Sequence, residues 1–166
     1  MIAVLDSGRF CTFFHEALTA YHGPEAPGGV AHAVKIMERA FPILSPDAPP
    51  ERREITIRTA FRGAGVRDAF ELVTRAVTGG RYDVAPAHAG PADLGDRAGY
   101  VFHLGYRDRA VSLVVRDGIV RQEFLTLAAK PDRSADEEIH LAWLKQEMAD
   151  RIMALHASAV YGVMDG

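Results

Sequence analysis

Residues 99–127 read GYVFHLGYRDRAVSLVVRDGIVRQEFLTL, and the way this run divides decides the fold class. From Gly99 to Tyr106, Tyr100, Phe102, Leu104 and Tyr106 alternate with Gly99, Val101, His103 and Gly105. That period of two belongs to a strand with one buried face. Ala110–Arg116 and Ile119–Leu127 read as two further strands joined by Asp117-Gly118, a dipeptide suited to a two-residue hairpin turn. Strands joined so tightly run antiparallel. The expected class is therefore α+β, an antiparallel sheet with helices packed on it, and not a doubly wound fold.

The flanking segments supply the helices. Between Gly28 and Phe41, Val30, Ala33, Val34, Met37, Ala40 and Phe41 recur at helical spacing, with Lys35, Glu38 and Arg39 off the stripe. Ile55, Ile57, Thr59 and Phe61 alternate from Glu54 to Phe61 and predict a strand. Val66, Ala69, Phe70, Val73, Ala76 and Val77 then form a second helical stripe, with Gly79-Gly80 as its stop. Ser134 followed by Glu137 is a capping box, opening a last helix with the stripe Leu141, Leu144, Met148, Ile152 and Leu155. Gly23–Gly28, Ser45–Arg53 and Ala85–Ala98 read as loops; the third is long enough to be expected as a flap.

The chain of 166 residues fits one domain, 1–166. A net charge of -3 offers no basic excess for phosphates, which argues against a nucleic-acid partner. No run approaches a membrane span. Cys11 is the single cysteine, so neither an internal disulfide nor a cysteine-rich zinc site is available. Its aromatic neighbours suggest a buried, inert thiol. A cytoplasmic protein is the expectation.

Candidate chemistry gathers in YHGPEAPGG, Tyr21–Gly29. Pro27-Gly28-Gly29 opens a helix. Its free amides and positive dipole end suit a carboxylate, a phosphate or an oxyanion, and its glycines equally suit close helix packing. His22 is either a general base or a loop residue bonded to nearby backbone. Glu25 is either its orienting group or a solvated charge. If FFHEALTAY is helical, His15 and His22 stand two turns apart on one face, and two histidines with a carboxylate such as Glu16 would be a possible substitute metal set, against the plainer reading of a solvated face. Arg62 could clamp an anion, and Asp68 would stabilise a helix start. His103, between glycines, faces a cavity or solvent. His32, His88, His140 and His156 carry no spacing signal, and His32 falls on the polar side of its helix.

Together these blocks resemble the FmdE-like family of formylmethanofuran dehydrogenase proteins. YHGPEAPGG followed by VAHAVKIMERAF is similar to that family's opening, His-Gly-His-x-Cys-Pro-Gly before a helix. AFRGAGVRDAFELVTRAVTGGRYDV is similar to its second signature, and the likeness extends from about Phe14 to Val163. His22 fills the first histidine place. Pro24, Ala26 and Ala64 stand where the second histidine and the cysteines would be, so the family's metal site is expected to be absent. The resemblance implies a homodimer and a small-molecule ligand, with His22 as the catalytic or orienting group. Glu25, Gly28, Gly29, Arg62, Asp68 and His103 would bind the ligand. Two other classes stand beside that reading: a non-catalytic interaction module, and a haem or other cofactor carrier through His22 or His103. Replacing His22, as a loop residue, is expected to leave folding nearly intact.

Overall fold

The computed structural model describes residues 1–165. Its frame is one long helix laid on a five-stranded sheet. The sheet is built from β3 (Ile55–Thr59), β4 (Tyr82–Val84), β5 (Val101–Tyr106), β6 (Arg109–Val115) and β7 (Tyr161–Val163), in the order β4-β3-β5-β6-β7. All neighbouring pairs are antiparallel except β3 and β4, which run parallel. The chain is α+β with helices packed on a sheet, as the alternating pattern requires. The one parallel pair arises because a helix, α3 (Ala64–Thr74), intervenes between its strands.

The hairpin lies one strand earlier than Asp117-Gly118 suggests. Tyr106 pairs with Arg109, so Arg107 and Asp108 make the two-residue turn, with Arg107 in the left-handed region at φ 54. After Gly118, the residues read as a strand instead form α4 (Gln122–Ala129). Gln, Glu, Leu and Ala are good helix formers, and this tertiary setting offers no sheet edge for the alternation of Ile119–Leu127 to use. The expected strand there is thus corrected to a helix.

Helix α2 (Pro27–Leu44) is buried nearly all round. It is wedged between the sheet, α3 and α5 (Ala135–Ala154). Val30, Ala33, Val34, Met37, Ala40 and Phe41 are core residues as expected, but Ala31, His32 and Ile36 on the other side are buried too. Lys35 is buried with its ammonium 2.9 Å from the Glu38 carboxylate, so the charge is paired. Helix α3 buries Val66, Ala69, Phe70 and Val73 and stops at Thr74, with Arg75 left-handed at φ 56, earlier than the expected Gly79-Gly80. Its free carbonyls at Thr74 and Arg75 accept from the Arg81 guanidinium.

A separate two-stranded hairpin, β1 (Ile2–Asp6) and β2 (Arg9–Phe13), turns at Ser7-Gly8, both residues having positive φ. The Glu51 carboxylate accepts from both turn amides, which ties the Ser45–Arg53 loop to this hairpin. Cys11, on β2, is half-buried rather than buried. Helix α5 begins with the predicted capping box, Glu137 N–H donating to Ser134 Oγ at 3.1 Å and Ser134 N–H to Glu137 Oε2 at 2.9 Å. The Ala85–Ala98 segment folds on itself as short 3-10 turns, with Gly90 N–H donating to Ala98 O. Among the described residues, no helix is long and apolar enough to cross a membrane.

Candidate functional site

Three glycine-bearing segments meet at one end of the molecule. Helix α1 (His15–His22) ends at Gly23, α2 begins at Pro27, and α3 begins just after Gly63. The contact between α2 and α3 is close enough to exclude side chains. A Cβ on Gly65 would lie 2.5 Å from the Ala26 carbonyl oxygen, and one on Gly29 would lie 3.1 Å from the Val66 nitrogen. These glycines therefore serve packing at the helix starts. Gly28 differs, since a Cβ there would meet the flexible Met148 Cε.

The same starts wall a cavity of about 160 Å³. Gly28 and Gly29 form one side, Gly63, Gly65 and Phe61 another, and Tyr100, Phe124 and Met148 close it, with Lys145 at its edge. The lining is almost wholly apolar. Phe61 and Tyr100 pack with their ring centroids 4.9 Å apart, which stiffens that wall. The Lys145 ammonium donates to the Glu25 backbone carbonyl at 3.2 Å, linking α5 to the loop before α2.

Besides Tyr100 and Lys145, one further residue with polar atoms belongs to this wall. His32 is 1% exposed, with Nδ1 2.8 Å from the Tyr161 hydroxyl. Its Nε2 is buried without a partner among the described residues. Burial, with the charge of Arg151 adding to it, pushes its pKa down to about 3, so the ring is neutral. The helical pattern places His32 on a polar face; the fold makes it part of the core. A helix buried on all sides leaves no polar face, and that burial is a tertiary property no window of α2 reports.

His22 is the last residue of α1 rather than a loop residue. Its side chain is 6% exposed, and Nδ1 lies 2.8 Å from Asp68 Oδ2 on α3. Its Nε2 is also buried without a partner among the described residues. Burial raises the Asp68 carboxyl pKa, but the hydrogen bonds from His22 and Arg67 and the charge of Arg67 outweigh it and hold the group below its usual value. An ionised Asp68 accepts the Nδ1–H, leaving the Nε2 lone pair as the basic position. Tyr82 lies within electrostatic reach of Asp68; its hydroxyl is buried and unpartnered, with a pKa pushed to about 12 mainly by burial.

The remaining candidates disperse. Glu25 and Arg62 are exposed side chains, and neither forms a side-chain hydrogen bond or ion pair among the described residues. His103 stands on β5 with both nitrogens engaged, Nδ1 2.7 Å from Ser112 Oγ and Nε2 3.1 Å from the His88 carbonyl. It pins the turn at Pro86–His88 to the sheet. FFHEALTAY is helical only from His15 onward, as α1, Phe13 closing β2 and Phe14 being extended, and Asp68 rather than His15 meets His22. The described residues contain no group of three or more His, Cys, Asp or Glu side chains arranged to hold a metal ion. Gly28 and Gly29 line the cavity; His22, Glu25, Arg62, Asp68 and His103 do not.

Larger depressions occur elsewhere, among them one of about 840 Å³ beside Glu123, Leu127 and His140, one of about 430 Å³ beside Phe41, Pro42 and Pro46–Pro50 and one of about 390 Å³ beside Arg97, Arg116 and Arg121. Among the described residues, none that lines these three has a buried, unpartnered polar atom. Compared with known families and characterised proteins, the chain matches no family model and no curated protein.

Proposed function

We propose that this chain is a small-ligand-binding protein of FmdE-like architecture, and that the ligand sits in the cavity at the start of α2. The observation that carries the reading is the wall itself, an apolar space of about 160 Å³ with His32 in its lining, a residue whose Nε2 has no partner among the described residues. Buried polar atoms are ordinarily paired, and an unpaired one beside a cavity is explained by a partner that arrives from outside. A porphyrin is far larger than this space, so the geometry favours a compact ligand over haem. The resemblance also carries a homodimer and a cytoplasmic location; light scattering of the purified chain reads the first directly.

Amide-resolved NMR of the protein with a library of compact small molecules tests the reading. Binding in the cavity shifts the amide signals of Gly28, Gly29, Gly63 and Gly65 together, and leaves those of Gly95 and Gly118 in place. A library that shifts none of the four glycines contradicts it.

A second reading, that the chain is an enzyme, rests on the His22–Asp68 pair. A carboxylate that fixes the imidazole tautomer and leaves Nε2 free is the arrangement of an oriented general base. In this reading, an opening between α1 and α3 brings substrate to Nε2. A ligand found in the cavity whose turnover survives His22→Gln would remove it.

A further inference from the structure

The β1–β2 hairpin presents an open strand edge. β2 pairs with β1 on one side only. Asp6 and Arg9 flank the two-residue turn and form its closing hydrogen-bonded pair. Along β2 the backbone groups of Arg9, Cys11 and Phe13 therefore face β1, and those of Phe10 and Thr12 face outward. Leu5, directly opposite Phe10, follows the same alternation: its N–H turns away from β2 and donates to the Pro50 carbonyl at 2.9 Å. The outward groups of Phe10 and Thr12 have no such partner among the described residues, nor has the Phe14 N–H. The edge is five residues long, against three for β4 and β7 at the ends of the other sheet. No lysine, proline or bulge blunts it. Phe10, Thr12 and Phe14 share one face of the strand, and Phe10 is 73% and Phe14 56% exposed.

Resting on the homodimer included in the reading above, we infer that two copies of this chain join edge to edge through β2, antiparallel about a two-fold axis at Thr12. In this register the edge complements itself. The two Thr12 residues exchange both backbone hydrogen bonds. Phe10 stands opposite Phe14 of the second copy, twice over by symmetry, and each Phe14 N–H reaches the Phe10 carbonyl across the axis. Aromatic pairs and threonine pairs directly opposite each other stabilise a sheet. Arg9 comes beside the first turn of α1 of the second copy, where Glu16 lies. Both are exposed, and neither has an ion-pair partner among the described residues, so the register also matches charge. Moving the axis to Cys11 sets Phe14 against Gly8, and moving it to Phe10 sets Thr12 against Gly8. Either shift loses the pairing of Phe10 with Phe14. The occupant is a second copy because the same residues supply both halves of the fit.

Analytical ultracentrifugation of the full chain measures the monomer–dimer equilibrium. Thr12→Pro removes the outward N–H and leaves the bonds to β1 in place. It is expected to raise the dimer dissociation constant about tenfold or more, one donor being lost from each copy. Phe10→Ala removes both aromatic pairs and is expected to raise it by about tenfold. Phe10 is exposed, so this variant folds and decides the matter if Thr12→Pro does not fold. The double variant Cys11→Ser/Thr12→Cys is expected to form a disulfide-linked dimer with oxidised glutathione, since residues paired at the axis stand ~5.5 Å apart at Cα. The wild type is expected to stay unlinked, because Cys11 faces Phe13 of the second copy. A dimer that both single variants leave unchanged, or one linked through Cys11 in the wild type, overturns the edge pairing and leaves the homodimer. A chain that is monomeric at every concentration overturns both and leaves the cavity to its own NMR test.

Discussion

His22 Nδ1 and Asp68 Oδ2 stand 2.8 Å apart and join the end of α1 to the first turns of α3. The pair spans 46 residues of sequence and joins α1 to the same helix that α2 meets through its glycines. Its donor is nearly buried, so its loss is felt in the fold as well as in any chemistry. His22→Ala is expected to cost about 1–2 kcal/mol of stability by urea denaturation. That differs from the nearly neutral effect expected of a loop histidine. An unchanged midpoint would show that the pair is not made in solution.

The same pair gives a pH signature. The folded state holds the Asp68 carboxyl pKa below its usual value, so the stabilisation is present above the unfolded pKa of about 3.9 and is lost as pH falls through the lower folded value. His22→Ala should move the Asp68 pKa upward, read by carbon-13 NMR of the carboxyl group. The acid limb of stability then flattens relative to the wild type.

His32 acts over a different window. The unfolded chain takes up a proton below about 6.5, while the folded ring resists protonation until about 3. Its contribution is complete above the unfolded pKa. Stability then falls with decreasing pH across that window, by up to about 1.4 kcal/mol per unit. Denaturation of the wild type and His32→Gln at pH 7, 6, 5 and 4 isolates this slope from that of the carboxylates. A variant with the same slope would contradict the buried, neutral ring.

Glycine substitutions at the helix starts should rank by what the added methyl meets. Gly65→Ala meets a backbone oxygen and should cost about 1–3 kcal/mol, the usual penalty of overpacking. Gly29→Ala is intermediate, meeting the backbone of α3 at 3.1 Å. Gly28→Ala crowds the flexible end of Met148, with the Lys145 carbonyl at an ordinary 3.6 Å, and should be nearly neutral, since alanine regains up to about 1 kcal/mol of helix propensity. Thermal melts of the three variants check the order.

Much of this architecture is legible in residue spacing. The stripe of α2, the alternation of Ile55, Ile57 and Thr59, and the Ser134–Glu137 capping box are local patterns, and local physics decides them. The departure at Ile119–Leu127 has a physical cause: a short apolar run supports either a strand or a helix until a sheet edge is or is not there to receive it. Strands β4 and β7 are too short to show a period, and β1 and β2 carry no clear alternation. At the site, the glycines Gly28 and Gly29 are visible as a helix start, but their partner Gly65 lies on another element. His32 is hidden because its role depends on Tyr161, 129 residues away. A buried histidine and an exposed one look alike in sequence.

The central claim is that the cavity at the start of α2 holds a small molecule. A crystal structure of the wild-type protein soaked with the tightest-binding compact ligand tests it most directly. Density is expected against Gly28, Phe61 and Met148. Density only in the depression beside Pro46–Pro50, with the cavity empty, would contradict it.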